Sequence, residues 1–219
     1  MSRASERPSL DHGASRRRFL VGMILAVLTL VAWRPAAGSD TTLSGVEGHR
    51  RGRFPLGVWT QSSGDAQLDA AMRRAVDDWN ALVRDALGVD AFATASREAA
   101  QVRVSLEPAA SAGLMGVTYL HADDTGVIQA PVRITLVEPT ARGQTSRETV
   151  LYQVLAHELG HALGLPHVGD PRSLMCCERG AVDLADPGTR EAYVEARRQP
   201  DVRSVRAQLT AHYARFWRR

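Results

Sequence analysis

Residues 157–167 read His-Glu-Leu-Gly-His-Ala-Leu-Gly-Leu-Pro-His. This is the pattern H-E-x-x-H-x-x-G-x-x-H, and it restricts both fold and chemistry. His157 and His161 are four residues apart, so a helix puts both imidazoles on one face, one turn apart. Both can then reach a single metal ion at about 2.0–2.1 Å. Glu158 follows the first histidine, which brings its carboxylate to the same space. Gly164 lets the backbone leave the helix in a left-handed conformation that a β-carbon resists. The chain can then swing His167 round as a third ligand. Three protein ligands leave a fourth position open, which marks a catalytic zinc. A structural zinc closes its shell with a fourth protein ligand and has no use for a glutamate beside the first histidine.

Met175 lies eight residues after His167, in Ser173-Leu174-Met175-Cys176-Cys177. Alone it reads as ordinary core, because methionine fills irregular gaps. With the histidine motif it resembles the metzincin metalloproteases, and most closely the matrixin-like group. The resemblance implies His157, His161 and His167 as zinc ligands, Glu158 as general base, and Met175 as the floor of the site. It extends upstream more weakly. Residues 54–59 resemble a first strand, 71–79 the first helix and 101–106 the next strand. Residues 113–118 resemble the edge strand above the cleft, and 126–136 the strand after it. The implied fold is α+β: a twisted mixed five-stranded sheet with two helices above the cleft, and a short C-terminal subdomain carrying a C-terminal helix. The edge strand, with Leu114, Met115, Gly116, Val117 and Thr118, is expected to pair with an extended substrate. Residues 176–190 are expected to wall the pocket that sets side-chain preference.

Periodicity supports this order of elements. Leu68, Met72, Ala75, Val76, Trp79 and Val83 form one apolar helix face, and Gly88 follows as a stop. Val102, Val104 and Leu106 alternate with polar residues, as do Val132, Ile134 and Leu136, so both runs read as half-buried strands. Thr145 and Glu148 have capping-box spacing ahead of the motif helix. Leu151, Leu155, Leu159 and Ala162 form the stripe that buries it. Val202, Val205, Leu209, Tyr213 and Phe216 fall at helical spacing after Pro200 and Asp201. The expectation is a C-terminal helix docked by that stripe, with its arginines in solvent.

The sequence also departs from the family pattern. Val168 stands where matrixins often have serine, and Cys177 where proline is frequent. Some other metzincins place a tyrosine at that last position to assist the transition state, which Cys177 cannot do. Only His121 is available near the edge strand, so one catalytic zinc is expected and no second, structural one. Asp123 and Asp124 raise calcium as a cofactor, but Asp-Asp-Thr-Gly reads more simply as a turn. Cys176 and Cys177 read as buried thiols, since a bond between neighbours is geometrically unfavourable, with a redox role as the alternative. No cysteine precedes the domain to act as a propeptide lock, and residues 39–51 read as a short linker.

Residues 1–38 read as an export signal. Ser15-Arg16-Arg17-Arg18-Phe19-Leu20 matches the twin-arginine pattern, an apolar run reaches Trp33, and Ala36-Ala37-Gly38 offers small residues for cleavage. The run is too short for an ordinary spanning helix of about 20 residues. An uncleaved anchor on the inner membrane is the alternative to a periplasmic or extracellular protein. The formal net charge of the whole chain is +3. Residues 39–219 carry 21 arginines against 22 acidic residues, so the basic balance belongs to the signal and gives no reason to expect nucleic-acid binding. Residues 52–219 are expected to form one zinc peptidase domain, acting as a monomer on protein or peptide substrates. A dedicated processing protease for one envelope partner and a catalytically silent zinc-bound binding module are the alternatives.

Overall fold

The computed structural model describes residues 43–108, 115–141, 144–177 and 182–218. The signal expected over 1–38 and the edge-strand residue Leu114 lie outside the described residues. The described residues belong to one compact unit.

The fold is α+β. Its sheet has five strands, β1 (Leu56–Thr60), β2 (Phe92–Thr94), β3 (Val102–Glu107), β4 (Gly116–Ala122) and β5 (Ile128–Val137). They lie in the order β2-β1-β3-β5-β4. All pairs are parallel except β4 with β5, which is antiparallel. The two alternating runs meet row by row: Val102 opposes Val132, Val104 opposes Ile134 and Leu106 opposes Leu136. Cross-strand neighbours of this kind lock register, because a slip of one residue would turn the apolar face outward. β2 escapes sequence reading because three residues are too few to show a period.

Helices α1 (Ala66–Leu87) and α2 (Arg147–Ala162) pack against one another and against the sheet. Asp65 caps α1 by accepting from the Gln67 and Leu68 amides, and Gly88 ends it at φ 70°. At the head of α2 the capping residue is Ser146, which accepts from the Thr149 amide. The expected Thr145–Glu148 box is therefore corrected by one residue: Ser146 carries the extended cap backbone, and its side chain reaches the third amide of the helix. The stripe Leu151, Leu155, Leu159 and Ala162 is buried against the core. The indole of Trp79 donates to the Ala156 carbonyl at 2.9 Å and ties α1 to α2. Truncating a buried leucine such as Leu155 costs about 2–5 kcal/mol, a large share of a domain's stability.

After α2 the chain forms α3 (Pro187–Arg198), a 3₁₀ turn (Val202–Val205) and α4 (Arg206–Phe216). α3 is an addition to the expected C-terminal part. Asp186 caps it, but it buries none of its residues, so it leaves no apolar stripe to read. α4 and the turn before it dock by Val202, Val205, Leu209, Tyr213 and Phe216, all buried. The Tyr213 hydroxyl donates to the Leu163 carbonyl at 2.8 Å, so α4 braces the C-terminal end of α2.

Residues 43–50, within the span expected to be a linker, pack as an arm on this domain. Leu43 and His49 are buried. Gly48 donates to the Gly126 carbonyl and accepts from the Ile128 amide. Trp217 donates to the His49 carbonyl and Arg215 to the Gly45 carbonyl. An arm held through its backbone carries no apolar period, which is why its sequence reads as linker.

Candidate active site

The motif helix delivers its histidines as the spacing requires. Leu163 is the C-cap of α2, and Gly164 follows at φ 87°. The Leu165 amide donates to the Gly160 carbonyl and the Gly164 amide to the His161 carbonyl. These two bonds form a Schellman closure, which needs a left-handed residue at Gly164. A β-carbon there would also collide with the Glu47 carbonyl of the N-terminal arm. The turn brings His167 back towards the helix.

The three Nε2 atoms of His157, His161 and His167 lie 3.1 Å apart in every pair. His157 Nδ1 is 2.7 Å from the Leu174 carbonyl, and His161 Nδ1 is 2.8 Å from the Leu165 carbonyl. Both Nδ1 atoms are thereby assigned as donors, and each Nε2 is left as a lone pair aimed inward. Three nitrogens on a tetrahedral zinc at about 2.0–2.1 Å stand about 3.3 Å apart, so the triangle fits the ion closely. Burial and the neighbouring His161 push His157 down to about 3, which keeps it neutral and able to ligate near pH 7. Among the described residues, these three form the group whose ligand atoms gather as a metal site needs.

Below the histidines runs the turn that carries Met175, which is fully buried. Its sulfur and methyl group lie against the bare α-carbon of Gly160, beside Trp79. The Met175 carbonyl accepts from the Val168 amide at 3.0 Å, which links the turn to the chain just after His167. Arg197 of α3 donates to the Ser173 and Cys176 carbonyls and lies over the Tyr193 ring at 4.3 Å. Of the residues expected to wall the pocket, 178–181 lie outside the described residues. Cys176 and Cys177 are joined in a disulfide, which corrects the expectation of two thiols.

Above the helix, β4 pairs with β5 on one side only and forms an edge of the sheet. Met115, Gly116, Val117 and Thr118 fall at its start. Glu158 is buried beneath this strand, and the Thr118 hydroxyl donates to its Oε2 at 2.7 Å. The sequence reading used Thr118 only for its backbone. The signal it missed is Gly116 and Thr118 two residues apart on one strand face. At the far end of the strand, Asp123 accepts from the Thr125 and Val127 amides and from Gln129, so its carboxylate organises a turn.

The family model for matrixin peptidases matches residues 52–182, a span that contains the sheet, both upper helices, the three histidines and Met175. The chain belongs to the matrixin family. No curated protein matches the sequence. Matrixins are zinc-dependent metalloendopeptidases, so protein or peptide is the substrate class implied for this matrixin. Its three-histidine group has the donor set and spacing that zinc requires. The chain beyond the matched span supplies all of α3 and α4, which brace the Met175 turn and the end of α2 from below.

Proposed function

We propose that this matrixin is an exported zinc endopeptidase in which His157, His161 and His167 hold one zinc ion and Glu158 is the general base. The observation that carries the reading is the triangle of inward lone pairs, 3.1 Å on each side, with the buried carboxylate of Glu158 next in sequence to His157 on the helix that carries two of the three histidines. Zinc in such a site supplies a Lewis acid that polarises the scissile carbonyl and makes water acidic. Glu158 accepts the proton of the attacking water and returns it to the leaving amine. The edge of β4 pairs with the substrate as an added strand, recruiting extended peptide through backbone hydrogen bonds. The Leu165 and Leu174 carbonyls fix the two helix histidines in the ligating tautomer.

Export rests on the twin-arginine pattern of residues 15–20. Among the described residues no helix is long and apolar enough to cross a membrane. The test is hydrolysis of a quenched peptide library by purified protein, with zinc removed by chelation and then restored. Broad cleavage that follows zinc supports the proposal. Cleavage of one narrow motif points to a dedicated processing protease. Stoichiometric zinc without cleavage contradicts the enzyme reading and leaves a binding module.

A further inference from the structure

The face of β4 that meets α2 is built around Glu158 in a way that zinc ligation does not require. Gly116 and Thr118 alternate onto the same face of the strand. The Thr118 hydroxyl lies 2.7 Å from Glu158 Oε2 and 3.1 Å from the Glu158 main-chain oxygen. One hydroxyl has one proton, and the carboxylate is the nearer and stronger acceptor, so the charge-assisted bond goes to Oε2. A β-carbon on Gly116 would lie 2.9 Å from Glu158 Oε1, 3.0 Å from its Cγ and 2.6 Å from Val154 Cγ1. Glu158 Oε1 and Cγ therefore lie against the bare α-carbon of Gly116, with Oε2 tethered to Thr118.

We infer that Gly116 and Thr118 form a seat that sets the orientation of the Glu158 carboxylate, with Thr118 as a positioning residue for catalysis. The inference rests on the reading of Glu158 as general base. The hydrogen bond that Oε2 accepts from Thr118 fixes the plane of the carboxylate, and with it the direction from which the proton of the attacking water is taken. The hydroxyl prevents the carboxylate from rotating about its last bond and exchanging the two oxygens. A base held in one orientation is worth much more than one that samples several, because small misplacements of a reacting group cost about a hundredfold in rate.

The test compares Thr118→Val, Thr118→Ser and Gly116→Ala with wild type and with Glu158→Gln, measuring kcat, KM and zinc content for each. Thr118→Val removes the hydroxyl at nearly constant volume. It should keep one zinc per chain and KM within about twofold while kcat falls at least about tenfold. Thr118→Ser should recover most of that loss. Gly116→Ala should also lose kcat with zinc retained, because its methyl takes the space of Oε1. If the valine variant does not fold, the serine and alanine variants still decide: loss in Thr118→Ser or wild-type turnover in Gly116→Ala would overturn the seat. Equal losses in the valine and serine variants would mean packing rather than a hydroxyl, and would overturn it too. An active Glu158→Gln variant would instead sink the general-base reading. An inactive one beside a fully active Thr118→Val would sink the seat alone.

Discussion

Gly160 and Met175 meet where α2 crosses the turn beneath the histidines, and the gap between them has no room for a β-carbon. Two effects compete at this position. Alanine is the better helix former by about 1 kcal/mol. Overpacking a filled core costs about 1–3 kcal/mol, and here the methyl group meets a sulfur held against Trp79. Packing should win. Gly160→Ala is expected to lower the melting temperature and to weaken zinc binding, since Leu174, whose carbonyl orients His157, precedes the displaced methionine. A melting temperature above wild type would show that the contact is soft and that helix propensity decides.

His49 makes stability depend on pH from outside the site. One ring nitrogen lies 2.9 Å from the Ala162 carbonyl, and the other is buried without an acceptor. Burial, with smaller contributions from Arg53 and His212, pushes its pKa from 6.5 down to about 4. The unfolded chain therefore takes up the proton first. Stability is full above about pH 6.5 and falls as the pH drops towards 4, by about 3 kcal/mol over the window. Urea unfolding at stepped pH values checks this. His49→Gln should flatten the slope, and an unchanged slope would assign the acid sensitivity to other groups.

Export by the twin-arginine route predicts a fractionation result. Arg16→Lys combined with Arg17→Lys should leave the full-length precursor in the cytoplasm. Normal export of the double variant would point to the general secretory route. The domain reading is independent of either result, because it rests on residues 43–218.

The zinc motif and the core were legible because each follows a period. The 3.6-residue period of Leu151, Leu155 and Leu159 gave α2, and the two-residue period of Val102, Val104 and Leu106 gave β3. The left-handed turn at Gly164 was legible because few residues tolerate it. The N-terminal arm was not, since main-chain bonds such as Gly48 to Gly126 leave no trace in residue type. Nor was α3, which buries none of its residues fully and meets the Met175 turn through Arg197. The Thr118–Glu158 bond joins residues forty positions apart, and spacing within either segment says nothing about how β4 meets α2. Nor does residue type alone separate two paired neighbouring cysteines from two thiols.

In the proposed mechanism Glu158 acts on a proton while the histidines hold the metal, and Glu158→Gln separates these roles. The amide keeps the size of the side chain and leaves His157, His161 and His167 untouched. Zinc content and peptide hydrolysis should therefore be measured together on the full chain. The expected result is about one zinc per chain with nearly all hydrolysis lost. Hydrolysis at the wild-type rate with zinc bound would contradict the mechanism.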